Sequence, residues 1–275
     1  MVNNSTSHHE EIGDMHIGTS LETPLRPDAF ELDDDLKVEL IEKHFREIML
    51  ILGLDLNDDS LSGTPKRVAK MYVKEIFSGL NPDNAPAVKL FENKYKYNEM
   101  FVEKNIPFYS NCEHHFVSII GVAHVAYISN GQVVGLSKIN RVVHYFARRP
   151  QVQERMTMQI ANHLKEVLGT EDVAVLIDAQ HLCVSMRGVE DQGSSTITAE
   201  YSGRFKEDRH RNEFLSLIQG RGILHGADCF RCAIEEPIKE EPQFTCGKKG
   251  QASDLVANSK AKDCKTHHVL HLTAT

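Results

Sequence analysis

Apolar residues enter the chain in a helical rhythm at Leu36. Leu36, Leu40, Phe45, Ile48 and Leu52 recur at helical spacing, and Gly53 ends the run, the pattern of an amphipathic helix stopped by glycine. Upstream, residues 1–35 are polar and carry His8-His9 and the acidic run Asp33-Asp34-Asp35 without an apolar period. They are expected to be a disordered, mobile arm. "SGTPKRVAKMYVKEIFSGL" predicts a second helix, with Thr64 as N-cap, Pro65 at the first helical position and Gly79 at its end.

Strand patterns follow. "MFVEKNIPFY" and "FVSIIGVAHVAYI" are rich in Val, Ile, Phe and Tyr, and the second partly alternates. Asn130-Gly131 between "AYIS" and "QVVG" predicts a hairpin turn. "SKINRVVHYFARR" reads as a helix stopped by Pro150, and "VQERMTMQIANHLKEVLG" as a longer one capped by Gly169. "DVAVLIDAQHLCVSMRG" and "SSTITAEYSG" read as strands, and "DRHRNEFLSLI" as a last helix. The order is helices, then β-β-α-α-β-β-α. That order suggests an α+β fold with antiparallel pairing, not alternating βαβ units. Residues 36–98 form a helical N-terminal part and 99–220 a sheet-based core. Residues 221–275 hold two prolines, a "KEE" run and four of the six cysteines, with no period of 2 or 3.6. They read as a disordered extension, with Cys229-x-x-Cys232, Cys246 and Cys264-x-x-His267 as an alternative closed metal site. No internal repeat is found.

Composition narrows the class. At 41% hydrophobic and 25% charged, the chain is an ordinary globular one. It has no run of about 18 apolar residues, so no membrane-spanning helix is expected. The N-terminus lacks a basic start and an apolar core, so no secretory signal is expected and the default location is the cytoplasm. There the cysteines are thiols or metal ligands. A net charge of −8 argues against nucleic acid as a partner. An anionic small substrate would need a local cluster of cations.

Two constellations carry chemistry. Cys112 and His115 are three apart in "NCEHHF", and His181 and Cys183 two apart in "QHLCVSMRG". On a strand, positions i and i+2 share a side. A set of Cys112, His115 and Cys183 would leave a fourth position open, as in a catalytic zinc site. Packing is the bland alternative for each motif alone. In "GLSKINR", Ser137, Lys138 and Arg141 start a helix, which suits phosphate oxygens. Arg187 lies just beyond the second metal motif, and Arg67 and Lys70 lie on one face of the second helix. Solvated or salt-bridged cations are the alternative. Gln153 and Glu154 open the long helix. A carboxylate can accept two hydrogen bonds from guanine, but Glu in a first turn is also favoured by the helix dipole. His44, His124, His144 and His163 lie away from these motifs and read as packing or surface residues.

Together "CEHHF", "GLSKINR", "RPQVQER", "HLCVSMRG" and "TPKRVAKMYVKEIFSGL" resemble GTP cyclohydrolase I, in order, from about residue 36 to 219. The resemblance implies a tunnelling fold, a β-β-α-α-β-β unit assembled into an oligomeric barrel, usually a toroidal decamer with active sites at subunit interfaces. It implies one zinc per subunit on Cys112, His115 and Cys183, with His114 and His181 as catalytic histidines. Glu154, with Gln153, corresponds to the guanine-recognition pair. Ser137, Lys138, Arg141 and Arg187 correspond to ribose and triphosphate contacts, and Arg67 and Lys70 to triphosphate contacts from a neighbouring subunit. The implied reaction converts GTP and water to 7,8-dihydroneopterin triphosphate and formate, a first step of pterin and tetrahydrofolate-type biosynthesis. It leaves Glu113 without a role.

Overall fold

The computed structural model describes residues 20–219. The expectations for residues 1–19 and for the four cysteines beyond residue 220 lie outside the described residues. The first helix, α1, spans Asp34–Ile51. It is capped by Asp33, whose carboxylate accepts the Leu36 N–H at 2.7 Å, while Asp34 and Asp35 complement the helix dipole. The acidic run therefore starts a helix and does not belong to a mobile arm. The apolar stripe that made α1 legible is turned away from the core of its own chain. Val38 and Met49 are buried, whereas Leu36, Leu40 and Ile48 are partly exposed and Leu52 is 70% exposed.

Helix α2 spans Thr64–Met71, with Gly63 and not Thr64 at the cap. The Thr64 hydroxyl instead accepts from Arg67 Nη2 at 2.9 Å. The helix loosens into a π turn at Tyr72–Ile76 and ends in a 3-10 turn, Ser78–Leu80. Gly79 is there for closeness, not as a C-cap. Its N–H donates to Arg148 O at 2.9 Å and its carbonyl accepts from Arg149 Nε at 2.8 Å. A Cβ at Gly79 would come within 2.1 Å of the Tyr145 carbonyl.

The remaining residues build an α+β unit. Strands β2 (Met100–Cys112), β3 (Ser118–Ile128), β6 (Val173–His181) and β7 (Thr196–Tyr201) pair antiparallel in that order. A two-residue strand β5, Pro150–Gln151, pairs parallel to the end of β2. Strands β1 (Leu90–Glu92) and β4 (Gln132–Val134) form a separate two-stranded sheet. The chain does turn at Asn130-Gly131, where Gly131 takes φ +86°. It does not close a β3–β4 hairpin, because β4 pairs with β1.

Helices α3 (Leu136–Ala147) and α4 (Gln153–Leu168) cover one face of the larger sheet. Ile139, Val142, Val143, Met156, Ile160 and Leu164 pack there on Phe108, Ile119, Val125 and Tyr127. Each such large side chain contributes about 1.5–3 kcal/mol on burial. Gly169 ends α4 in the left-handed conformation, φ +61°, as its sequence position predicts. Helix α5, Asp208–Gln219, covers one end of the opposite face, where Phe205 and Phe214 meet Met100, Ile128 and Leu176. No helix among the described residues is long and apolar enough to cross a membrane.

Candidate metal centre and active site

The loop between β2 and β3 is a tight turn that places donor atoms side by side. Phe116 N–H donates to Cys112 O and Cys112 N–H to Val117 O, both at 2.8 Å. Closing so short a loop puts Phe116 at φ +54°, a left-handed conformation costly for a residue with a Cβ. The Phe116 ring is held edge-on against Phe77, with centroids 5.1 Å apart. The turn leaves Cys112 Sγ 3.7 Å from His115 Nδ1.

The third member arrives from β6. Ile119 at the start of β3 pairs with His181 at the end of β6, so the residues after His181 emerge beside the loop. The strand stops there, and Cys183 sits on a one-turn helix, Leu182–Ser185. Strand alternation therefore does not put His181 and Cys183 on one side. The ligand atoms of Cys112, His115 and Cys183 all lie within 4.8 Å of one another, a group that could hold a metal ion.

The donor set fits a borderline-soft divalent ion such as zinc. Burial first, then the neighbouring Cys112, pushes the Cys183 thiol up to about 11. The buried Cys112 lies beside the half-buried Cys183, and a bound cation favours the thiolate that this setting opposes at Cys183. Three protein ligands leave a coordination position for water or substrate. Arg187 Nη1 is 3.0 Å from His115 Nε2. Since a guanidinium only donates, that nitrogen is the acceptor here.

The two histidines singled out for proton transfer flank this group. His114 Nδ1 is 3.6 Å from Cys112 Sγ, and its Nε2 is 3.9 Å from Glu113 Oε1. His181 Nε2 is 2.7 Å from Gln153 Oε1. The Gln153 Nε2 donates to Thr196 O at 2.8 Å, Thr198 Oγ1 at 3.1 Å and Ile177 O at 3.2 Å. With its nitrogen committed as donor, Gln153 presents an oxygen to His181. The proton of neutral His181 is thereby fixed on Nε2, and Nδ1 is left as the acceptor. Burial lowers the His181 pKa, and the charge of nearby Glu154 offsets part of that.

Gln153 and Glu154 do not form one recognition surface within the chain. Gln153 is buried, its amide occupied inside the fold, while Glu154 is exposed. The next residue, Arg155, is buried and grips Glu113 with both terminal nitrogens, Nη1–Oε2 at 2.6 Å and Nη2–Oε1 at 3.3 Å. Sequence reasoning missed this pair and the Gln153–His181 bond. Forty-two positions separate Arg155 from Glu113, and no local spacing signals such a contact.

The cations are more scattered. Ser137 and Lys138 lie in the first turn of α3, with Gly135 at the cap. Arg141 lines a cavity of about 500 Å³ with Lys74, His144 and Arg148. Arg67 is held within its own turn by Thr64 Oγ1 and by Ser60 O at 3.1 Å, and Lys70 follows one turn later on α2.

Known proteins resemble this chain in sequence. The family model for GTP cyclohydrolase I matches residues 41–219. A GTP cyclohydrolase 1 of Flavobacterium johnsoniae is 57% identical over 219 residues, 80% of this chain and 98% of the relative. Those of Citrobacter koseri and Salmonella arizonae are each 52% identical, over 74% and 76% of this chain and 92% and 94% of the relatives. A match of this extent reaches every residue of the metal group and both flanking histidines, and on it the chain belongs to the GTP cyclohydrolase I family.

Proposed function

We propose that the protein converts GTP and water to 7,8-dihydroneopterin triphosphate and formate at this site, with one zinc ion per subunit on Cys112, His115 and Cys183. The observation that carries the reading is the three-donor metal group flanked by two histidines, one held in a defined tautomer. Zinc, when bound, supplies Lewis acidity and a water ionisable near pH ~7. Opening the purine at C8 requires proton delivery at N7. His181 is suited to that through Nδ1, because Gln153 holds its other nitrogen. Its lowered pKa makes the neutral ring the resting form at pH 7, so it takes up a proton before giving one, and once charged it is a stronger acid than free imidazole. His114 is the partner in proton transfer, held beside the Glu113 carboxylate.

Glu154, exposed in the first turn of α4 and close enough to act on His181, accepts from the guanine N1–H and exocyclic amine. Gln153 serves as a positioning residue for His181 in this reading. Ser137, Lys138, Arg141 and Arg187, with Arg67 and Lys70 of a neighbouring subunit, hold ribose and triphosphate. Their binding energy fixes the purine at the reacting groups. The exposed stripe Leu36, Leu40, Ile48 and Leu52 supports assembly into the tunnelling-fold barrel, in a homo-oligomer of decameric size. The test is formate release and pterin fluorescence on adding GTP to metal-loaded protein, with mass measured by sedimentation. Metal-loaded oligomer that binds GTP without releasing formate overturns the proposal.

A further inference from the structure

The first described residues of the chain run against α4, directly behind the metal loop. Ser20 O accepts from Arg155 Nε at 2.9 Å, and Glu22 Oε2 accepts from Gln159 Nε2 at 2.8 Å. Both donating side chains, Arg155 and Gln159, are buried, at 4% exposure each. Two routes then lead from this segment to one residue. Arg155 passes from Ser20 to the Glu113 carboxylate. Gln159 passes from Glu22 to Gln151, whose Nε2 donates to Gln159 Oε1 at 2.9 Å. Gln151 O in turn accepts the Glu113 N–H at 3.1 Å. Glu113 lies between Cys112 and His114, so its side chain and its backbone are both fixed from residues 20–22.

We propose that Ser20–Glu22 is a strap that positions the Cys112–Phe116 loop through Arg155 and through Gln159 and Gln151. This rests on the reading of that loop as the catalytic one. Without Ser20 the Nε–H of a buried guanidinium loses its acceptor. Without Glu22 the Gln159 amide is free to turn and withdraws the acceptor from Gln151. Each loss leaves a buried donor unsatisfied, which costs more than the bond itself contributes. The fold survives, because the main core of the sheet, α3 and α4 contains no strap residue. What loosens is the placement of Glu113 and of His114 beside it.

The experiment compares deletion of residues 1–19 with deletion of residues 1–22, beside Glu22→Ala and Glu22→Gln. Hydrogen exchange of peptides covering residues 111–117 is measured with metal content and GTP turnover. Deletion to residue 22 and Glu22→Ala are expected to speed exchange in that loop about tenfold relative to deletion to residue 19. They also lower kcat about five- to tenfold, the size of one buried hydrogen bond of about 1 kcal/mol. KM for GTP stays within about twofold, and metal content is unchanged. Glu22→Gln keeps an acceptor for Gln159 and restores most of the rate. Equal loop exchange and equal kcat in the two deletions overturn the strap. So does exchange that rises evenly across the whole sheet, which marks only a structural prop. Wild-type protein without turnover, but with the loop difference intact, fails the proposed function and leaves the strap standing.

Discussion

Gln153 offers the sharpest separation of chemistry from recognition. Gln153→Met keeps the length of the side chain and removes its polar end. The substitution strips the acceptor from His181 Nε2 and the donor from Thr196 O, Ile177 O and Thr198 Oγ1. Thr198 can turn to Thr157, whose hydroxyl lies 2.7 Å away. That leaves the His181 N–H and the Thr196 and Ile177 carbonyls as the groups without this partner. At about 1–3 kcal/mol for each buried unsatisfied group, the folded state loses upwards of about 3 kcal/mol. His181 also loses the partner that fixes its tautomer and ring orientation. General acid–base catalysis is worth about 10²–10⁴-fold, and a His181 free to rotate is expected to forfeit at least about tenfold of it. The assay is the initial rate of pterin fluorescence against GTP concentration, with denaturant unfolding and metal content on the same samples. The expected result is a fall in kcat, KM changed by less than about threefold, and metal retained. A loss confined to KM would refute the argument, because it would mean that Gln153 reads guanine beside Glu154. An unchanged kcat would mean that His181 does not need this bond.

Three further outcomes follow from the same geometry. His114→Ala should keep bound metal and lose turnover, whereas His115→Ala should lose both; metal analysis beside the rate assay decides, and metal loss from His114→Ala contradicts the division. Burial lowers the pKa of His124, His163 and His181 below the ordinary 6.5. The unfolded chain therefore binds more protons than the folded one as pH falls through about 6.5, so stability should drop there and level off below the folded values; a denaturation midpoint that is flat or rising from pH 7.5 to 5.5 refutes this. Gly79→Ala drives a Cβ into the Tyr145 and Arg148 carbonyls, 2.1 and 2.8 Å away, and should cost upwards of about 1–3 kcal/mol; a midpoint equal to wild type would show that the backbone there yields freely.

The long elements were legible because their patterns are local. The α3 and α4 stripes, the β2 and β3 runs and the Gly169 cap each depend on neighbours a few residues apart. The metal trio was legible by residue type, although strand alternation is not what aligns Cys183. Its position comes from the Ile119–His181 register and a helical turn after the strand. What stayed hidden depends on pairing across long separations. Asn130-Gly131 turns the chain, but which strand β4 joins is settled by β1, about forty residues earlier. Gln153 and Glu154 look like a pair in the sequence, yet neighbours on a helix are about 100° apart and cannot share a face. The Asp33–Asp35 run looks like a solvated tail by composition, and only the capping geometry shows that it starts α1.

The first turn of α4 is an indexing device. Gln153 meets His181, Glu154 faces outward, and Arg155 meets Glu113, three directions from three consecutive residues. Each step along an α-helix rotates the side chain by about 100°. One residue deleted between Pro150 and Gln153 would bring a carboxylate toward the buried slot at Thr196 and Ile177 and carry the guanidinium outward. Substitutions in this stretch can be absorbed one at a time, but a change of length displaces the supports of both histidines at once. Chain length between Pro150 and Arg155 therefore sets the alignment of both supports together.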